Sequence, residues 1–253
     1  MTQELLCQCR WPELSAPYDA ALKEAVAFIL DRFEVRGILV CGSIVRGNPN
    51  PHSDLDIMVL HAQNQRQRLQ RFFQGVPTEI FVNPPQSIRG YFQGERNRGR
   101  PSTAHMWSTG FVVLDRDPLV NVLRQEAAEW LQKSPDLPPL ELTMDSYFNA
   151  DEFENALDIA DSDPAMASLL MHHAVFSMVA YRFLAANLNV PRHKEMLARL
   201  KAVDPPAGQL VQRFLTEPDL ARKFEWGKQV AQTLNGDIGF FEWETELEKV
   251  EES

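Results

Sequence analysis

The chain has 253 residues and lacks any apolar run long enough to span a bilayer. Its first residues contain neither a basic segment nor a long apolar core, so no signal peptide is predicted. Cysteine is scarce, and the three that occur (Cys7, Cys9 and Cys41) are an odd number that argues against a disulfide framework and suits reduced thiols. Together these absences predict a globular protein of the cytoplasm.

Basic residues are in short supply, but only in the second half of the chain. Residues 1–135 contain 15 basic and 14 acidic side chains, a balance of +1, and residues 136–253 contain 10 and 21, a balance of −11; the two sum to the net charge of −10. General binding to nucleic acid needs a basic surface that neutralises phosphates. We therefore expect no general nucleic-acid binding, and a template-directed polymerase is disfavoured.

What the sequence does contain is a segment, residues 42–56, that meets two requirements of phosphate chemistry. Gly42 and Ser43 follow the apolar run 37–41, which predicts a buried strand. A glycine and a small hydroxyl residue at a strand end, before a short helical turn, let backbone N–H groups approach phosphate oxygens. Asp54 and Asp56 then open a second apolar run, and a spacing of two on a strand points both carboxylates to one face.

A third carboxylate, Glu79, lies near the start of another predicted strand, residues 76–82. Adjacent carboxylates repel one another unless a cation lies between them, and oxygen ligands suit Mg²⁺. A strand paired beside that of Asp54 and Asp56 would bring Glu79 to the same metal. Each of the three also has an ordinary interpretation, as a polar turn or a charged strand end. Their order and spacing together favour the metal site.

These features resemble the polymerase-beta-type nucleotidyltransferase superfamily, whose signature is a Gly-Ser turn, an Asp-x-Asp strand and a third acidic residue on a following strand. The resemblance implies transfer of a nucleoside monophosphate, AMP from ATP or the equivalent from another NTP, to a hydroxyl by catalysis with two Mg²⁺ ions. Glu79 would accept the hydroxyl proton. Arg46 would contact the phosphates, although a surface arginine is an equally open interpretation. The implied catalytic and metal-binding residues are Asp54, Asp56 and Glu79, and the implied nucleotide-binding residues are Gly42, Ser43, Arg46, Ser53 and Lys194.

The apolar patterns predict an α+β fold, with mixed strands and helices followed by an all-α helical domain. The resemblance implies that the first part is a small mixed-sheet nucleotidyltransferase core. The proline-rich segment 134–139 would interrupt a helix, so we place a catalytic domain at residues 1–135 and a helical acceptor-binding domain at residues 136–253. In the first domain we also predict a short helix around residues 66–73 and a basic loop over residues 89–100. That loop could be a phosphate-contacting lid or simply solvated.

This layout resembles the aminoglycoside adenylyltransferases, antibiotic-modifying members of the superfamily in which ATP and drug meet between the two domains. Lys194 lies in a segment that resembles one where a lysine of that branch reaches the nucleotide phosphates; a solvated charge is the open alternative. The resemblance implies a small hydroxylated acceptor, and the acidic second domain would attract a cationic one. Candidate carboxylates for such a cation are Asp145, Asp151, Glu152, Glu154, Asp158 and Asp161.

Two other function classes remain open. The first is a regulatory or antitoxin-type nucleotidyltransferase that acts on or binds a protein partner; the additional helical half counts against it, because such members are typically single small domains. The second is a nucleotide-binding module without catalysis, against which the intact Asp54, Asp56 and Glu79 argue. The preferred NTP and the acceptor are not determined by these patterns.

Overall fold

A computed structural model describes residues 2–247 of the protein. The chain divides into two compact units, residues 1–133 and residues 134–253. Within the described residues, no helix combines the length and the apolar character needed to cross a membrane.

The first unit is built around a mixed sheet, which confirms the predicted α+β class. Its strand order is β3-β4-β2-β1-β5. Strands β2 and β4 are parallel to each other, and the other neighbours are antiparallel. The strands are β1 (Val35–Cys41), β2 (Leu55–His61), β3 (Gln67–Phe73), β4 (Val76–Asn83) and β5 (Phe111–Asp115).

Helices cover both faces of this sheet. Leu22, Val26 and Ile29 of α2 are buried at helical spacing in the core on one face, beside Ile57 and Val59 of β2. The other face carries a second core, built around side chains of α3, α4 and α5. The helices of the first unit are α1 (Thr2–Leu6), α2 (Ala16–Arg32), α3 (Pro85–Asn97), α4 (Ser102–Thr109) and α5 (Leu119–Leu131).

The short helix predicted around residues 66–73 is wrong: this segment is strand β3. It forms a hairpin with β4 through Gln74 and Gly75, whose φ angles of 49° and 76° are both positive, as a two-residue hairpin turn of the primed type requires. Strand β3 lies at the edge of the sheet and most of its side chains are exposed. Its apolar pattern is therefore too weak to show the period of two.

The basic loop predicted over residues 89–100 is also wrong for most of its length, because α3 extends to Asn97. Ile88 and Phe92, four residues apart, are both fully buried and fix this helix on the sheet. The arginines lie outside: Arg89 Nε donates to Glu126 Oε2 of α5 at 2.7 Å. A segment anchored in this way is a packed helix and not a lid.

The second unit is helical, as predicted. Phe153, Met171 and Phe214 lie at the centre of its core. Three of its aspartates accept hydrogen bonds from backbone N–H groups at helix N-termini: Asp163 at α7, Asp204 at α9 and Asp219 at α10. The helices are α6 (Pro139–Asp158), α7 (Pro164–Ala185), a 3₁₀ turn (His193–Glu195), α8 (Met196–Val203), α9 (Pro205–Thr216) and α10 (Leu220–Leu234).

Candidate nucleotide-binding and catalytic site

The chain leaves β1 through Gly42, and two features require glycine there. Its φ of +95° lies in the left-handed region that other residues rarely adopt. A Cβ at this position would lie 2.9 Å from Oδ2 of Asp56. The bare α-carbon of Gly42 therefore lets the turn pass directly beside the Asp56 carboxylate.

The turn that follows holds Ser43 in a fixed position. Ser43 Oγ and Ser53 Oγ are 2.8 Å apart, and Ser53, which is buried, also accepts a hydrogen bond from Asn50 N at 2.8 Å. The turn closes through Arg46 N, which donates to Gly42 O at 3.3 Å. The N–H groups of Ser43 and Ile44 donate to no other described residue. Phosphate binding by such a turn requires N–H groups that have no acceptor within the protein.

Strand pairing places the three predicted carboxylates at the same end of two neighbouring strands. Asp54 immediately precedes β2, and Asp56 is its second residue. In the parallel β2–β4 pair Asp56 is the register partner of Glu79, so both side chains point to the same face of the sheet. On its other side Asp56 pairs with Cys41, the last residue before the Gly42 turn. The proximity predicted between the turn and the carboxylates thus follows from strand register.

The three acidic side chains at this position outnumber the two arginines near them. Burial, together with the neighbouring carboxylates of Asp54 and Glu79, raises the pKa of Asp56 to about 6, although the guanidinium groups of Arg46 and Arg68 oppose the rise. Asp54 and Glu79 are thus close enough to disfavour the charged form of Asp56. A cation at this position would remove that destabilisation.

Glu79 is held by two side chains of β3 that the sequence analysis did not single out. Its Oε2 accepts a hydrogen bond from Arg68 Nη2 at 2.8 Å, and its Oε1 accepts one from Gln70 Nε2 at 2.6 Å. Arg68 also lies over the ring of Phe81, 5.0 Å from its centroid. Alternation of side chains along a strand puts Arg68 and Gln70 on one face of β3. The helix predicted over residues 66–73 hid this relationship.

The donor set suits a divalent cation, although it is not drawn together as a ligand cluster. Within residues 2–247, no group of three or more His, Cys, Asp or Glu side chains has the geometry to hold a metal ion. Glu79 is engaged by Arg68 and Gln70, while Asp56 faces the bare α-carbon of Gly42. Carboxylate oxygens are the hard ligands that Mg²⁺ prefers. A divalent cation would also offset the repulsion that, together with burial, raises the pKa of Asp56.

The remaining predicted residues lie in the second unit. Lys194 is exposed in the 3₁₀ turn beside the ion pair of Arg192 with Glu195, and its predicted contact with phosphate stays a prediction. Among the candidate acceptor carboxylates, Glu152 Oε2 lies 2.7 Å from His173 Nδ1. Five of these carboxylates belong to α6 and one to the turn after it: Asp145, Asp151, Glu152, Glu154, Asp158 and Asp161.

Comparison with known proteins agrees with this geometry. Residues 22–96 match the family model of the nucleotidyltransferase domain, a range that includes the Gly42 turn and all three carboxylates. This match supports the nucleotidyltransferase superfamily. It supports nucleotidyl transfer in general and does not separate the aminoglycoside-modifying branch from others.

One solved structure shares the fold over most of the chain. It is a nucleotidyltransferase-like protein from Exiguobacterium sibiricum, 12% identical, with a TM-score of 0.53; the alignment covers 85% of this chain and 73% of that one. The alignment is longer than the first unit, so the likeness in fold extends into the helical unit. No curated protein matches the chain significantly.

Proposed function

We propose that the protein is an Mg²⁺-dependent nucleotidyltransferase that moves a nucleoside monophosphate, AMP from ATP, to a hydroxyl group of a small molecule. The observation that carries this proposal is the register of β2 and β4, which pairs Asp56 with Glu79 beside the Gly42 turn. The position of these residues inside the matched nucleotidyltransferase domain supports it.

The Gly42 turn would bind the phosphates. The N–H groups of Ser43 and Ile44 have no acceptor among the described residues, and the Ser43 hydroxyl is positioned by Ser53. Arg46 is exposed and close enough to Asp56 to influence its pKa. Its guanidinium would add positive charge beside the terminal phosphates.

Asp54, Asp56 and Glu79 would hold the metal, two Mg²⁺ ions in this proposal. When bound, Mg²⁺ neutralises phosphate charge and makes the acceptor hydroxyl more acidic. Carboxylate binding to the cation also accounts for three acidic residues at one end of two neighbouring strands.

The transfer itself is an in-line displacement at the α-phosphorus. The acceptor oxygen forms a bond to that phosphorus, the bond to the oxygen bridging the α- and β-phosphates breaks, and pyrophosphate leaves with the bonding electrons. The hydroxyl proton passes to a Glu79 oxygen. Arg68 and Gln70 orient that carboxylate through their hydrogen bonds.

Pyrophosphate release from ATP and Mg²⁺ tests the proposal on a panel of small hydroxylated compounds. Asp54→Asn removes a carboxylate of the site, and we expect the rate to fall by about three orders of magnitude or more. Asp31→Asn, an exposed position on α2, is the matched control and should retain wild-type turnover. Wild-type turnover in Asp54→Asn would contradict the assignment.

A cationic, aminoglycoside-like acceptor is a second candidate within this function. Helix α6 favours it, because its sequence contains six acidic and no basic side chains. Attraction of a polycation should weaken steeply as salt screens these charges. If kanamycin supports pyrophosphate release with a KM that does not change with salt, the acidic helix is not its binding site.

A further inference from the structure

A cavity of about 470 Å³ opens in the first unit on the same face of the sheet as the candidate catalytic carboxylates. Met58 lies two residues beyond Asp56 on β2, and Phe81 and Asn83 lie two and four beyond Glu79 on β4, so their side chains share that face. Helices α3 and α4 provide the opposite wall. We call this space the β3–β4 cavity; Met58, Arg66, Arg68, Phe81, Asn83 and Tyr91 line it.

The inner wall of the β3–β4 cavity carries a polar group that has no protein partner. Asn83 is only 7% exposed, and its side-chain amide forms no hydrogen bond with any other described residue. The amide keeps some exposure to the cavity, because the fully buried polar side-chain atoms without a partner among the described residues are Trp107 Nε1 and Asn189 Oδ1. A ligand that offers one donor and one acceptor would satisfy it.

The outer part of the cavity carries positive charge from Arg66, which immediately precedes β3, and from Arg68 on β3. Arg66 Nη1 donates to the Tyr91 hydroxyl at 3.0 Å, and among the described residues it forms no ion pair. Arg68 lies over Phe81 and donates to Glu79. Guanidinium groups bind carboxylate and phosphate through two parallel hydrogen bonds.

The one carboxylate that lines the cavity has both oxygens engaged by the protein. Glu95 of α3 accepts hydrogen bonds from both Thr103 N and Thr103 Oγ1, each at 2.6 Å. Burial raises the pKa of Glu95, although the hydrogen bonds from Thr103 oppose the rise. The polar groups of the cavity without a charged partner therefore include the Arg66 guanidinium and the Asn83 amide, which suit an anion better than a polycation.

We propose that the β3–β4 cavity binds the anionic part of the acceptor, a carboxylate or phosphate group on the hydroxylated molecule that receives the nucleotide. This inference rests on the proposed nucleotidyl transfer. With this inference the favoured acceptor is anionic and no longer cationic. The reason is that the cavity with the arginines lies beside the candidate catalytic carboxylates.

The order of the strands separates this cavity from the nucleotide. The phosphate-binding turn follows β1, and β2 lies between β1 and β4, so the turn and the cavity are on opposite sides of the carboxylates. Glu79, the proton acceptor, is on the cavity side and shares Arg68 with it. An anion in the cavity would draw Arg68 toward itself and leave a Glu79 oxygen free to receive the hydroxyl proton.

Calorimetric titration of the full chain, without nucleotide, tests the binding step. The probes are ribose 5-phosphate, gluconate, ribose and glucosamine, which carry a phosphate, a carboxylate, no charge and a positive charge respectively. We expect at least one anionic probe to bind roughly tenfold or more tightly than ribose, and the stronger of the two identifies phosphate or carboxylate. If neither binds better than ribose, or glucosamine binds best, the inference is wrong.

Three variants connect that binding to the cavity. Arg66→Gln removes one guanidinium, and Asn83→Asp places a negative charge in a side chain of the same shape; each should weaken anion binding roughly tenfold or more. Arg71→Gln is the matched control, because Arg71 is on the same strand but lies over Phe28 on the other face, 4.7 Å from its centroid. Unchanged affinity in folded Arg66→Gln, or an equal loss in Arg71→Gln, would overturn the assignment.

The same compounds separate this inference from the proposed function. Suppose that an anionic probe binds but that none of the four compounds supports pyrophosphate release from ATP and Mg²⁺. That result would refute nucleotidyl transfer to such acceptors and leave the anion site standing. Pyrophosphate release only with the neutral or cationic compound would refute the anionic acceptor and leave nucleotidyl transfer standing.

Discussion

Replacement of Gly42 by alanine should damage the candidate site far more than the fold. The new Cβ would lie 2.9 Å from Asp56 Oδ2, whereas an ordinary contact begins near 3.4 Å, so the carboxylate must move by about 0.5 Å. The carboxylate is the free end of a side chain and can rotate away at little cost to stability. The stability cost is therefore mainly that of the positive φ, about 1–2 kcal/mol.

Gly75 provides the control for that backbone cost. Its φ is +76°, and a Cβ built there meets nothing within 4 Å. Gly75→Ala in the β3–β4 turn should thus lose a similar 1–2 kcal/mol of unfolding free energy, roughly, without disturbing Asp56. Both variants place alanine at a positive φ, but only in Gly42→Ala does the new Cβ contact the Asp56 carboxylate.

Denaturant unfolding and pyrophosphate release together measure this difference. We expect both variants to lose similar stability, while turnover falls about 10²-fold in Gly42→Ala and stays near wild type in Gly75→Ala, since small displacements of a catalytic group have effects of this size. Equal turnover in the two variants would refute the argument that the Gly42 turn needs direct contact with Asp56. A much larger stability loss in Gly42→Ala would show that Asp56 cannot move freely.

Other predictions concern single side chains. Glu79→Gln should depress turnover and leave the calorimetric affinity for Mg²⁺·ATP unchanged if Glu79 is the proton acceptor, and should lower both if it is chiefly a metal ligand; no change in either would remove it from the site. In the second unit, the hydrogen bond from Arg182 lowers the pKa of Asp204, so this carboxylate stabilises the fold above its ordinary pKa and the stabilisation is lost as the pH falls through the lowered value. Asp204→Asn should therefore lower the Tm by roughly 1–4 °C at pH 7 and by less as the pH falls toward 2. An equal shift at both pH values would show that the ion pair is not responsible.

Several features of the fold are local enough to follow from sequence. The helices of the second unit bury residues at a period of 3.6, as Met171, Val175 and Met178 do on α7, and this period is visible without any partner. Asp54 and Asp56 were expected on one face because alternation along a strand is a property of the strand alone. Gly42 was expected to open a phosphate-binding turn because it follows a complete apolar strand.

Strand β3 shows where local pattern fails. Its sequence, Gln-Arg-Leu-Gln-Arg-Phe-Phe, has few apolar residues because an edge strand with an exposed face has little to bury. A short segment of this kind satisfies a helical pattern almost as well as an extended one. Only pairing with β4 decides between them, and that pairing is what brings Arg68 and Gln70 to Glu79.

The sequence by itself determined the residue types of the candidate site, the turn that precedes them and the change from a mixed sheet to helices. The tertiary structure alone decided that Asp56 and Glu79 are register partners, that Arg68 engages Glu79 and that Asn83 lies unpartnered in a cavity beside them. The physical reason is distance along the chain. Contacts within a turn or along one strand are fixed by local geometry, whereas strand register and cavity walls depend on packing between segments that are far apart in sequence.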